Sequence, residues 1–157
     1  MPLALDCDMN PLRTRLSRDH QELETLLERL SLAAEACNRE ALALTWAELE
    51  PRLTLHMQAE ERYLLPLLEA THPAEIQRIL LEHARIRDTV AQLGVAVELH
   101  AVRKNDIQAL VELLLAHAKH EDEELYVLAG EKASRAVEHG VLTTLKAFVR
   151  SALRTAS

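Results

Sequence analysis

Six residues of this chain stand out for their chemistry: His20, His56, Glu60, His83, His117 and Glu121. Each of four apolar stripes at helical spacing carries one histidine among its aliphatic residues. The stripes read Leu16-His20-Leu23-Leu27, Leu49-Leu53-His56-Glu60-Leu64, Ile76-Leu80-His83-Val90 and Leu110-Leu114-His117-Glu121-Leu125. Two of them add a glutamate one turn after the histidine, so that HxxxE turns an imidazole and a carboxylate to the same side. A single inward histidine is ordinarily a hydrogen-bonded core residue. Six inward polar groups need more, because an unpaired carboxylate in an apolar interior costs several kcal/mol, on the order of the penalty for any buried ion. Imidazolium partners would leave four rings competing for two carboxylates, whereas metal cations satisfy the whole set: neutral imidazoles donate lone pairs and carboxylates bridge. Iron, zinc, copper and manganese all accept such donors, and two imidazoles per ion with two shared carboxylates suit a pair of irons about 3.5–4 Å apart. A structural zinc or an empty polar layer are the competing expectations. The ferritin-type Glu-x-x-His pairing is absent, since Ser17, Leu53, Leu80 and Leu114 precede the four histidines by three residues. No HExxH motif occurs either.

Four helices must carry these groups. Asn10-Pro11 predicts a helix start, and the stripe Leu12, Leu16, Leu23, Leu27, Leu30 follows until Cys37-Asn38. A second helical stretch with Leu42, Trp46, Leu49, Leu53, Leu64 and Leu67 reaches about Ala70, and Pro51 inside it predicts a kink or local break. Thr71-His72-Pro73 opens a third, with Ile76, Ile79, Leu80, Ile86, Val90, Leu93 and Val97. Asn105 or Asp106 is expected to cap a fourth carrying Leu110, Leu113, Leu114, Leu125 and Leu128, closed by Gly130 as a C′ residue. A shorter fifth helix is expected over about 140–154. The fold class is therefore all-α: an antiparallel up-down four-helix bundle over about 11–130 with a short C-terminal fifth helix, in a single domain spanning 1–157.

Antiparallel neighbours at one depth are equidistant from the turn that joins them. The midpoint of His20 and His56 or Glu60 falls at the Asn38 break. That of His56 or Glu60 and His83 falls at Thr71-His72-Pro73, and that of His83 and His117 or Glu121 at the third break, between His100 and Asn105. The six groups are thus expected in one layer.

Composition agrees with this architecture and removes other classes. The 157 residues include 31 Leu, 23 Ala and 19 Glu but only 3 Gly and 5 Pro, a helical vocabulary that excludes a β-sandwich or barrel. The 48% hydrophobic content excludes a disordered chain. A net charge of −7 argues against nucleic acid as a partner. No apolar run approaches about 18 residues, so no membrane span is expected, and the opening MPLALDCDMN lacks the basic region of a signal peptide. Cys7 and Cys37 lack CxxC spacing and read as free thiols of a cytoplasmic protein.

With these motifs in place, the sequence resembles the hemerythrin-like, or HHE cation-binding, family. The resemblance is carried by SRDHQELETLL around His20, HMQAEERYLLP from His56, LLEHARIRDTV around His83 and HAKHEDEELY from His117, together covering about residues 12–129. It implies a non-haem di-iron centre bridged by Glu60 and Glu121, with His20, His56, His83 and His117 as terminal ligands. Oxygen-carrying hemerythrins resemble this layout but add a fifth histidine one turn after the third-helix ligand, where this chain has Arg87. The chain is similar instead to the four-histidine, two-carboxylate variant, including the di-iron domain of iron–sulfur cluster repair proteins, whose cysteine-bearing N-terminal domain is not expected here, Cys7 alone being a poor stand-in. That favours reaction over reversible O2 transport.

The expected function is binding or reduction of a small oxidant (O2, peroxide or NO) at two iron ions, with zinc or manganese as the alternative metals. The alternative role is a non-catalytic metal- or oxygen-sensing module acting through a partner. An electron donor or protein partner would be needed and is not specified by the sequence, and no residue is assigned as catalytic. Secondary candidates are Glu61, as a further ligand or a supporting group, and Glu24, expected on the helix flank. His120 with Glu124 forms a competing HxxxE frame in which His120 is expected at the rim. Tyr63 and Tyr126 either line the pocket or pack, Asp19 is expected as a surface charge, and His72, His100 and His139 are expected at helix ends.

Overall fold

The computed structural model describes residues 10–155, with side chains described as far as residue 147. Cys7 lies outside the described residues. Helix α1 (Pro11–Glu35) starts as expected: the Asn10 side chain accepts a hydrogen bond from the Leu12 amide at 2.9 Å, and Pro11 occupies the first turn. Helix α2 (Arg39–Ala59) is capped by Asn38, whose side chain accepts from the Ala41 amide at 3.0 Å. The break expected at Pro51 does not occur. Pro51 and Ala47, whose carbonyl loses its partner at the proline, are both exposed, so the freed group is not buried and the helix runs through.

The interruption comes at Glu60 instead. Residues Glu60–Leu64 form a π-helical turn (π1) in which the Leu65 amide donates to the Glu60 carbonyl, five residues back. The short α3 (Leu65–Leu68) follows, then α4 (Pro73–Glu98) and α5 (Lys104–His120). A second π turn, π2 (Glu121–Leu125), again has its wide bond on a glutamate, from the Tyr126 amide to the Glu121 carbonyl, and leads into α6 (Tyr126–Gly130). Both HxxxE motifs therefore end on a π turn, a feature concentrated at functional sites.

Three expected boundaries shift. Helix α5 begins at Lys104, and Asp106 acts from inside the first turn by accepting from the Arg103 amide at 3.2 Å, rather than as the cap itself. Gly130 is the last residue of α6 and not a left-handed C′ residue; its carbonyl accepts from Asn10 Nδ2 at 2.5 Å, so its missing side chain serves a close approach. The final helix, α7 (Arg135–Thr155), starts five residues before Gly140 because Ser134 supplies the first acceptors, to the Val137 and Glu138 amides. His139 is accordingly an exposed residue inside α7 and not at its end. His72 does stand directly before α4, and His100 follows it in the left-handed region at φ 54.

The helices close a four-membered ring in which α1 packs on α2 and α5, and α4 packs on α2 and α5; α7 lies against α2, π1 and α1. Leu80, expected on the inner face of α4, is exposed, and Ile79 and Ile86 take the core positions beside His83. The core falls into two clusters. One holds Leu23, Leu27, Trp46, Leu53, Ile86 and Leu110, the other Leu12, Leu16, Leu64, Ile79, Leu125 and Tyr126. Along each ring helix the predicted histidine lies between residues of these two clusters.

Candidate metal centre

The layer that separates the two apolar clusters contains all six predicted residues. His20, His56, Glu60, His83, His117 and Glu121 are buried, the two glutamates completely. They form two groups that share both carboxylates: His20 and His56 with Glu60 and Glu121, and His83 and His117 with the same pair. Within each group the ligand atoms lie within 4.8 Å of one another. His56 Nε2 is 3.1 Å from Glu60 Oε1, His20 Nε2 is 3.1 Å from Glu121 Oε2, and His117 Nε2 is 2.8 Å from Glu121 Oε1. His83 Nε2 lies 3.3 Å from an oxygen of each glutamate.

All four rings are held from behind by a carboxylate. An ionised carboxylate only accepts, so each Nδ1–H donates and each Nε2 is left for the centre. Asp122 accepts from His20 at 3.2 Å, Asp19 from His56 at 2.7 Å, Glu61 from His83 at 2.7 Å and Glu82 from His117 at 2.6 Å. These contacts run around the bundle from one helix to the next. Each acceptor is the chain neighbour of a residue in the centre, and on a helix that neighbour is turned by about 100°, toward the seam with the adjacent helix. Asp19-His20, Glu60-Glu61, Glu82-His83 and Glu121-Asp122 are therefore the sequence signal for this outer ring.

Asp19 corrects the expectation of a surface charge: it is 2% exposed, bound to His56 and ion-paired with Arg52 at 3.2 Å. Buried carboxylates need such partners, and helical periodicity does not distinguish a seam position from a surface one. Glu61 faces His83 Nδ1 and the exposed Arg87 guanidinium, 2.8 Å away, rather than the centre. Arg87, one turn after His83, is thus engaged with Glu61 rather than with the centre. Glu24 is exposed, as expected. The two tyrosines divide. Tyr63 packs against Gly140 of α7, while Tyr126 is 1% exposed with its hydroxyl inside the His20 group. Tyr126 Oη donates to Glu60 Oε1 and lies 2.9 Å from His20 Nε2 and 3.2 Å from His56 Nε2.

The electrostatics follow from this packing. Burial pulls the His20 imidazole down, but Asp122 and Glu121 outweigh it and raise its pKa to about 9. For His83 burial is likewise overcome, by Glu121 and Glu60, and the pKa reaches about 10. His56 and His117 are also raised against burial by the neighbouring carboxylates. Burial favours protonated Glu121, yet the four surrounding histidines, His117 foremost, hold it well below the usual carboxylate range. Tyr126 is pushed well above its ordinary value by burial and by the charges of Glu121 and Glu60, so its hydroxyl keeps its proton.

The donor set fits a pair of cations. His20 Nε2 and His56 Nε2 face each other at 3.0 Å, and buried Glu60 Oε2 and His117 Nε2 have no hydrogen-bond partner. Ring nitrogens and carboxylate oxygens crowded into one buried space in this way are the arrangement a metal resolves, displacing the ring protons as it binds. Fold and site together define a carboxylate- and histidine-lined metal-binding helical bundle. The family model for the hemerythrin HHE cation-binding domain matches residues 12–129, and the chain belongs to that family. Comparisons with curated proteins and with solved structures find no match. No helix among the described residues is long and apolar enough to cross a membrane.

Proposed function

We propose that this protein is a non-haem di-iron protein that binds or reduces a small oxidant such as O2, peroxide or NO. His20 and His56 would hold one ion, His83 and His117 the other, and Glu60 and Glu121 would bridge them. The observation that carries this reading is the pair of two-histidine groups built on the same two buried carboxylates. Iron bound there would supply the electrons or the open coordination position that a small oxidant needs.

The chain's own residues supply the rest. A cavity of about 440 Å³ reaches His20, His56 and His117 between apolar walls that include Leu23, Leu53 and Leu114. Glu24, Lys119, Asp122 and Glu123 line the same cavity, so a small reactant meets both apolar and charged groups on its way to the histidines. The outer carboxylates fix each ring so that Nε2 faces inward. Tyr126 Oη lies beside the His20 group, donates to Glu60 Oε1, and is the residue we assign as proton donor. The exposed, free Cys37 fits a reducing, cytoplasmic setting. One observation favours the sensing alternative: α7 packs on π1, the turn that begins at Glu60, so occupancy of the centre would be felt by a helix outside the four-helix ring.

Anaerobic loading with Fe2+ followed by stopped-flow addition of peroxide tests the proposal. We expect two irons per chain at the paired centre, rapid peroxide consumption, and turnover at least tenfold slower in Tyr126→Phe with that iron retained. Glu60→Ala with Glu121→Ala should lose both irons and keep its helicity. Two irons with an optical response but no turnover would favour sensing. Unchanged iron content in the double variant would overturn the ligand assignment.

A further inference from the structure

A second group of metal-type donors lies outside the centre just described. His120 and Glu124 repeat the HxxxE spacing of His117 and Glu121, three residues further on, and Glu75 from the first turn of α4 completes a cluster whose ligand atoms lie within 4.8 Å of one another. His120 Nε2 is 2.8 Å from Glu75 Oε1 and 3.7 Å from Glu124 Oε2. The His120 and Glu75 side chains are only 10% and 8% exposed.

Two features separate this cluster from an ordinary ion pair. Although His120 Nε2 and Glu75 Oε1 are close, neither has a hydrogen-bond partner, so the N–H is not aimed at the oxygen. Five buried side-chain atoms among the described residues are orphaned in this way. Two of them, Glu60 Oε2 and His117 Nε2, belong to the first centre, and two are His120 Nε2 and Glu75 Oε1. Two donors about 3 Å apart without a shared proton have the spacing of adjacent ligands on a cation with bonds of about 2.0–2.2 Å. The second feature is the support behind the ring. Glu82 accepts from His120 Nδ1 at 2.8 Å with one oxygen and from His117 Nδ1 at 2.6 Å with the other. His120 is therefore oriented as the ligand histidines are, with Nδ1 tied to a carboxylate and Nε2 turned to the cluster.

We infer that Glu75, His120 and Glu124 form a third, mononuclear site for a divalent cation, separate from the paired centre. One imidazole and two carboxylates leave room for water ligands, a donor set suited to Zn2+, Mn2+ or Fe2+. Glu124 is half exposed and opens the site to solvent. Arg78, 3.3 Å from Glu75 Oε2 and 3.6 Å from Glu124 Oε2, is itself mostly exposed and is free to swing away when a cation enters. The shared Glu82 makes the third site a neighbour of His117 through one carboxylate.

The test is a titration of the metal-free full chain with Zn2+, read as bound metal per chain by mass spectrometry and calorimetry, with helicity checked by circular dichroism. We expect three equivalents in the parent, two in His120→Ala and in Glu75→Gln, and one in Glu60→Ala with Glu121→Ala. Adding His120→Ala to that double variant should remove the remaining equivalent. A parent that stops at two, with His120→Ala also at two, overturns the third site and leaves the paired centre standing. A parent that binds a single equivalent lost in His120→Ala retains the third site and defeats the paired one. Three equivalents in both parent and His120→Ala would place the extra metal elsewhere and overturn the assignment. Glu75→Gln guards against misfolding of the histidine variant, since glutamine keeps the shape and removes the charge.

Discussion

At the residue scale, the outer carboxylates are as informative as the six residues they surround. Asp19 sits behind His56 with Arg52 holding its other oxygen, so the ring orientation is set before any cation arrives. Removing such a support typically costs about 10–100-fold in metal affinity. We predict a loss of that size for Asp19→Ala, measured by chelator competition, and no change for the exposed Glu24→Ala. Equal affinity in the two variants would show that Asp19 does not position His56. The pattern was partly legible: the pairs Asp19-His20, Glu60-Glu61, Glu82-His83 and Glu121-Asp122 all place an acid beside a centre residue. Which neighbouring helix each acid would meet depends on how the helices are rotated against one another, and no single stripe contains that angle.

At the element scale, the π turns explain how each HxxxE helix keeps its inner face through the site. A π turn inserts an extra residue per turn, so both Leu64 and Leu65, and both Leu125 and Tyr126, are buried side by side. That brings Tyr126 inward at five residues after Glu121, a place an α-helical count would not give it. Helix α7 is fixed differently. A Cβ at Gly140 would stand 2.7 Å from Tyr63 Cζ, so the two elements meet through a missing side chain. Alanine is favoured over glycine in a helix by about 1 kcal/mol, yet we predict that Gly140→Ala destabilises the fold by about 1–2 kcal/mol, from overpacking against Tyr63. In a Tyr63→Ala background the same change should become neutral or stabilising. Urea unfolding of the four proteins in this cycle measures the reversal, and a stabilising Gly140→Ala in the parent would contradict the packing account.

At the scale of the whole molecule, the paired centre couples metal binding, protonation and stability. In the metal-free fold the imidazoles of His20 and His83 titrate near 9 and 10, while Nε2 ligation requires each ring to lose a proton. Loading with Zn2+ at pH 7 should therefore release at least two protons per chain, those of His20 and His83. Calorimetry in buffers of different ionisation heat gives the count, and a release below one proton would show neutral rings in the metal-free protein. The same shifts fix the sign of the pH dependence. Raised imidazole pKa values stabilise the metal-free fold fully below the unfolded value near 6.5, and this contribution is lost as pH climbs through 9 and 10. Lowered Glu60 and Glu121 act oppositely: their contribution is present above the usual value of 4.5 and is lost as pH falls below it. Metal-free protein should accordingly melt highest between these limits.

The sequence by itself determined the helical class, the four inward histidines, the two glutamates and their common depth. All of these follow from a fixed rise and turn per residue, counted outward from breaks that Asn, Pro and short polar segments mark. Tertiary structure decided what lies between helices: Asp19 as a support for His56, Glu82 serving both His117 and His120, Tyr126 inside and Tyr63 outside. Helical periodicity reports which face of an element turns inward. Which side chains meet across a seam is set by the rotation of two helices about their own axes and by the widened turns at Glu60 and Glu121, and these exist only once the bundle has closed.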